Sequence, residues 1–169
     1  SSILGGFLEK DFVKDVSLLT PRIVKSTVEL YTRISNDLLP TPAKTHYTFN
    51  LRDISKTFQG ILMVTPENCP DAKTMIRLWM HECMRVFHDR LIDEEGKTYL
   101  KELLLDLVAV NFNQSWDYEE TFLNGHILFG DYLKQGAQGP DRVYEEIRDL
   151  KGLATILDDY QFEYNNTSP

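Results

Sequence analysis

Cysteine is scarce in this sequence: Cys69 and Cys83 are its two examples, and they lack CxxC spacing. That excludes a disulfide framework and fits a reducing, intracellular compartment. Basic charge is in deficit as well. Eighteen Lys and Arg face 26 Asp and Glu, for a formal net charge of −8, which argues against a nucleic-acid backbone or an anionic membrane as the main partner. No apolar run approaches the roughly 20 residues of a membrane span, and no charged N-terminal region precedes a signal core. Neither nucleic acid nor membrane is therefore expected as a partner.

Catalytic motifs are missing too. There is no GxxxxGK[ST], and hence no phosphate-cradling loop. His81-Glu82 begins like an HExxH zinc signature, but Arg85 stands where the second histidine belongs, and a guanidinium cannot ligate zinc. His88 lies seven residues beyond His81 with no third ligand placed by spacing, so metal: none is the expectation. Neither cysteine has a His/Asn setting that would make it a nucleophile. The carboxylate pairs Glu94-Glu95, Glu119-Glu120 and Asp158-Asp159 are adjacent and diverge on a helix, so they read as solvated faces. No catalytic residue is expected within the chain.

What is present is helical periodicity. With 169 residues, 42% hydrophobic and 26% charged, the chain is long enough to bury a core. SSILGG and the weakly amphipathic segment to Leu19 form an N-terminal edge, 1–19. Thr20-Pro21 reads as an N-cap followed by proline at the first helical position. Val24, Thr27, Val28, Tyr31, Ile34 and Leu38 then trace one face of a helix over 21–38, which stops at Pro40 and Pro42. After a loop from Thr65 to Ala72, Met75, Ile76, Trp79, Met80, Cys83, Val86, Phe87 and Leu91 predict the most strongly periodic helix, 71–91. A further helix over 94–110 carries Tyr99, Leu103, Leu104, Leu107 and Val110. HILFGDYL reads as a short strand or buried turn and KQGAQGP as a loop. A last helix over 142–160 aligns Val143, Ile147, Leu150, Ala154 and Leu157, and EYNNTSP reads as a frayed tail. The fold class is all-α: a compact helical body over 20–110 and a connecting segment with a terminal helix over 111–169.

One stretch organises the rest. HYTFNLRDISKTFQGIL, His46 to Leu62, predicts a helix with Asn50 at the N-cap and Asp53 near N3, where a carboxylate suits the positive end of the dipole. Leu51, Ile54, Phe58, Ile61 and Leu62 form its apolar face and Arg52 lies off it. An arginine in the first turn of a helix suits phosphate, which accepts its paired N–H donors. On pattern alone, an ion pair with a surface carboxylate is the competing reading.

LLPTPAKTHYTFNLRDISKTFQGIL and RLWMHECMRVFHDRLIDEE resemble dynein heavy chains, the microtubule-based motor ATPases. The likeness runs from about Leu19 to Tyr160 and falls on the helical lid of the third AAA+ module. HILFGDYL and DRVYEEI resemble the connection toward the fourth module. TFNLRD is more similar to an axonemal than to a cytoplasmic form. The resemblance implies that Arg52 is the second sensor arginine, reaching the terminal phosphates of a nucleotide, and that Asn50 and Leu51 line the ribose or adenine side. It implies ATP or ADP with Mg in the full-length protein, held by a large subdomain that carries the phosphate loop. The fragment itself is expected to be inactive and to bind no nucleotide tightly. Implied partners are that large subdomain, the following module, and, through the parent chain, the microtubule and other dynein subunits. The implied setting is cytoplasmic and cytoskeletal, in the ciliary or flagellar axoneme. Contact with the following module is expected on the helix from Met75 to Leu91 and after Trp116. Two alternatives stand beside this: a free-standing acidic helical interaction module, suggested by seven carboxylates against three basic residues over Asp141–Tyr164, and the lid of another AAA+ machine.

Overall fold

A computed structural model describes residues 2–42, 47–134 and 136–167. The middle of the proline-containing linker (43–46), Gln135 in the KQGAQGP loop and the last two residues of the tail lie outside the described residues. Seven α-helices are described: α1 (Ser2–Asp11), α2 (Lys14–Ser17), α3 (Thr20–Asp37), α4 (Leu51–Ile61), α5 (Ala72–Phe87), α6 (Glu94–Phe112) and α7 (Leu150–Thr167). Two short strands, β1 (Phe129–Gly130) and β2 (Glu145–Glu146), pair antiparallel, with Phe129 opposite Glu146. The class is all-α.

Helix α5 is the axis of the body. Met75, Ile76, Leu78, Trp79, Met80, Cys83 and Phe87 are all fully buried, as an apolar pattern extending around a helix requires. The Asp71 carboxylate caps it by accepting from Thr74 N at 2.7 Å. The Trp79 indole donates from Nε1 to Thr27 Oγ1 at 2.9 Å, which ties α5 to α3 through a pair of buried polar atoms. Because this helix is interior, it offers little surface to a following module, contrary to the expectation for Met75–Leu91.

Helix α3 begins one residue earlier than expected. Leu19 occupies the cap position, and Thr20 is already helical, its hydroxyl donating back to Ser17 O at 2.8 Å. Its buried face is Ile23, Ser26, Thr27, Leu30 and Ile34; Val28 is exposed and Val24 and Tyr31 are half-buried. The apolar residues of α3 span a wide arc, and the partners α5 and α6 select which part is covered. In α6 the buried face is Leu100, Leu103, Leu104, Leu107, Val108 and Phe112, with Val110 exposed. That helix closes on Asn113, whose φ of 56° is the left-handed conformation that asparagine tolerates at a helix end. Arg33–Asp106 at 2.8 Å and Asn111 Nδ2 donating to Glu29 Oε2 at 2.9 Å join α6 to α3.

The segment after α6 packs back onto the body. Ile127, Phe129, Tyr144 and Ile147 are buried, and Val64, just beyond α4, forms a parallel bridge with Tyr144. The expected helix over 142–160 is corrected here. Residues 142–149 are not helical, with β2 at Glu145–Glu146, and α7 starts at Leu150, where Asp149 Oδ1 accepts from Lys151 N and Gly152 N, each at 3.0 Å. Val143 and Ile147 have helical spacing, but pairing of Glu145 and Glu146 with β1 and burial of Tyr144 keep the stretch out of the helix. Helix α7 also continues through most of the expected frayed tail. Apart from buried Leu153 it is largely exposed, with Leu157, Phe162 and Tyr164 facing solvent.

Candidate functional site

The first turn of α4 is built as its residues dictate. Asn50 is extended (φ −141°, ψ 171°), and its side chain accepts from Arg52 N at 2.8 Å. Reciprocally, Asp53 Oδ2 accepts from Asn50 N at 2.9 Å. This is a capping box, which satisfies donors that the first turn otherwise leaves open. Arg52 is exposed, and among the described residues no carboxylate lies within ion-pair distance of it. The surface ion pair that pattern alone allowed is absent among those residues.

Arg52, Asn50 and Leu51 form one wall of a shallow concavity of about 440 Å³, completed by Tyr31 and Phe49. Leu51 is 71% exposed. A second, more apolar groove of about 360 Å³ runs on along α4, lined by Ile3, Leu4, Val24, Ser55, Phe58, Gln59 and Leu62. The expected apolar face of α4 is therefore largely the wall of an open groove. The face that is buried consists of Asp53, Thr57, Gly60 and Ile61. Small and polar residues turn inward because α5 and the turn after it present charged groups there.

Two buried carboxylates lie at that face, Asp53 on it and Glu82 opposite. Asp53, 3% exposed, accepts from Arg90 Nη1 at 2.9 Å. The same guanidinium donates from Nη2 to Thr48 O at 2.8 Å and lies 5.0 Å from the centre of the Phe49 ring, close enough for a cation–π contact. Glu82 is fully buried on α5 and accepts from Arg85 Nε at 2.9 Å and Nη2 at 2.6 Å, and from the Tyr144 hydroxyl. Burial, and then the bond to Glu82, push the Tyr144 phenol well above its usual range. Gly60 abuts this carboxylate so closely that a β-carbon there would lie 1.8 Å from Glu82 Oε2. A concavity of about 780 Å³ opens here between α4, α5 and β1, with Lys56, His81, Arg85, Asp131 and Tyr132 among its walls.

Neither region carries reactive chemistry. Burial holds the His81 imidazole below its usual value. Burial also pushes Cys69 up to about 12 and Cys83 well above the ordinary thiol value, so both are protonated, inert thiols. Arg85, in the place of the missing HExxH histidine, pairs with Glu82 on its own helix. Among the described residues no three His, Cys, Asp or Glu side chains converge as metal ligands. The arrangement presents a cation at a helix start and apolar walls beside it. Such an arrangement is chemically suited to an anionic, partly apolar ligand.

Sequence reasoning named Arg52, Asn50 and Leu51 as candidates, and in the structure they line one concavity. It missed Arg90, Glu82 and Gly60 as members of a network. Asp53 at N3 was the available signal, since a buried first-turn carboxylate needs a cation, but nothing local says that Arg90 supplies it.

Comparison with known proteins agrees with this geometry. The AAA+ lid domain family matches residues 23–122. Human dynein axonemal heavy chain 6 is 46% identical over 168 residues, covering 99% of this chain and 4% of that protein. Mouse dynein axonemal heavy chain 12 is 38% identical over 181 residues, covering 99% of this chain and 6% of its own length. Human dynein axonemal heavy chain 10 is 37% identical over 168 residues, with 99% and 4% coverage. The chain thus spans only 4–6% of the length of these relatives. From the helical body, the exposed arginine at the start of α4 and these likenesses together, the chain belongs to the AAA+ lid family, in the form carried by axonemal dynein heavy chains.

Proposed function

We propose that this domain is the nucleotide-sensing lid of a regulatory AAA+ module, the third, in a microtubule-based motor of the ciliary or flagellar axoneme. Arg52 is its sensing residue, with Asn50 and Leu51 on the ribose or adenine side. The observation that carries this reading is an exposed arginine, free of carboxylate partners among the described residues, on a capped first turn beside the apolar wall of Tyr31, Phe49 and Leu51.

ATP or ADP with Mg, when bound by the large subdomain of the same module, supplies a terminal phosphate of high negative charge. The donor set fits that group. The guanidinium offers paired N–H donors and the positive end of the α4 dipole adds to its field. The open groove along Ile3, Val24, Phe58 and Leu62 lies on the same helix as Arg52 and suits the large subdomain as its occupant. When the terminal phosphate is present Arg52 draws the lid toward it, and when it leaves the attraction falls. The rigid helical body then moves as a unit, and the segment after Trp116 passes that motion to the next module. Microtubules and other dynein subunits are partners of the parent chain. A free-standing acidic module is not favoured, because the family likeness covers 99% of the chain.

Arg52→Ala in the full-length heavy chain tests the reading. Loss of a charge-assisted pair of hydrogen bonds is worth about 1.5–3 kcal/mol, or roughly 10- to 100-fold in affinity. Nucleotide binding at this module that stays within twofold of wild type, with unchanged microtubule gliding, refutes the sensor role.

A further inference from the structure

Arg90 lies in the turn that follows α5, remote in sequence from the sensing helix, yet it makes three contacts around the start of α4. Nη1 binds the Asp53 carboxylate at 2.9 Å, Nη2 binds the carbonyl of Thr48 at 2.8 Å, and the plane of the guanidinium lies over Phe49. Asp53 simultaneously accepts from Asn50 N. Phe49 in turn packs on Phe87 of α5, with ring centres 5.9 Å apart. One side chain therefore fixes both the chain entering the helix and the first turn of the helix itself. The Arg52 side chain springs from this first turn, beside Phe49, Asn50 and Leu51.

We infer that Arg90 is a positioning residue for the ligand contact of Arg52, locking the entry segment 47–50 and the first turn of α4 into one orientation. The inference rests on the sensor role proposed above. Neutralising buried Asp53 is something any cation at this place can do. Holding Thr48 O and stacking on Phe49 in addition requires the planar, forked guanidinium, because a lysine ammonium is a point charge on a flexible stem. A purely structural ion pair and a positioning clamp are separated by that difference.

The test uses the full-length heavy chain and hydrogen exchange measured by mass spectrometry on the peptide covering 47–58, titrated with Mg·ADP. The midpoint of ligand-induced protection reports this site alone, whatever other modules bind. Arg90→Lys is expected to raise the midpoint about fivefold to tenfold, in line with the cost of a slightly misplaced contact group. Exchange in the core peptide covering 75–87 should stay unchanged. Arg52→Ala is expected to raise the midpoint by at least as much. In an Arg52→Ala background Arg90→Lys should then add less than about twofold, since residues acting as one unit are not additive.

An Arg90→Lys midpoint within twofold of wild type, beside a shifted Arg52→Ala, overturns the positioning role alone. So does an equal shift in both backgrounds, or faster exchange in the core peptide, either of which marks a general structural effect. An unshifted Arg52→Ala overturns the sensor role and this inference together.

Discussion

Replacing Gly60 by alanine adds one methyl group to the middle of a helix, where alanine is normally preferred to glycine by about 1 kcal/mol. On propensity alone the change stabilises. The structure predicts the opposite. The new β-carbon falls 1.8 Å from Glu82 Oε2 and 2.0 Å from its Cδ, so the carboxylate has to move. Glu82 is fully buried and held by two bonds from Arg85 and one from Tyr144. Separating a buried carboxylate from its partners costs about 3–5 kcal/mol. Arg85 is 47% exposed and can follow part of the way, which favours the lower end, about 3 kcal/mol. Subtracting the helical gain leaves a loss of about 2 kcal/mol, or roughly 4–8 °C in Tm for a domain of this size. Thermal unfolding followed by far-ultraviolet circular dichroism measures it. In a Glu82→Ala background the obstacle is gone, and Gly60→Ala should there raise Tm. A single Gly60→Ala variant as stable as wild type, or more so, refutes the reasoning that α4 meets α5 through this glycine.

Thr27→Val keeps the shape of the α3–α5 contact but removes the acceptor of Trp79 Nε1; leaving a buried indole N–H unpaired should cost about 1–3 kcal/mol, read as a lower urea midpoint, and an unchanged midpoint counts against it. His81 is held below its usual value by burial, so between that lowered value and 6.5 the unfolded chain binds more protons than the folded one. Stability is then fully present above pH 6.5 and falls as the pH is lowered through the histidine range. His88 is shifted the same way, also by burial first. Urea unfolding at neutral and mildly acidic pH should show the decline, and His81→Gln should flatten it; a wild-type midpoint that is flat across this window contradicts the assignment.

The parts of the fold that depend on neighbours in sequence were legible before the structure. The capping box of Asn50 and Asp53 is local, and α5 shows itself by its apolar period, although that period did not show how little surface the helix offers to a following module. What α4 buries was not legible, since its inward face of Asp53, Thr57 and Gly60 makes sense only opposite Arg90 and Glu82, which arrive from later in the chain. The stretch 142–149 misled for a related reason. Val143 and Ile147 are four apart, which suits a helix, but strand pairing with Phe129-Gly130 and the bridge to Val64 are long-range contacts that periodicity does not record. Within the site, Arg52 drew notice through its place in the first turn and through the family likeness. Arg90, 37 residues from Asp53, had only the character of a polar-face arginine.

Helix α7 has a mechanical consequence. It is pinned near its start by Leu153, and the residues beyond are largely exposed. From Leu153 to Thr167 the helix extends about 21 Å at ~1.5 Å per residue. With that leverage, a tilt of about 10° at the pinned end carries the far end through roughly 4 Å, about two-thirds of one helical pitch. The strand that feeds α7 touches Glu82 through Tyr144, and Glu82 touches the sensing helix at Gly60. A displacement of α4 that moved Glu82 would thus reach the segment feeding α7 through Tyr144, and any tilt about Leu153 would be largest at the outer tip of α7.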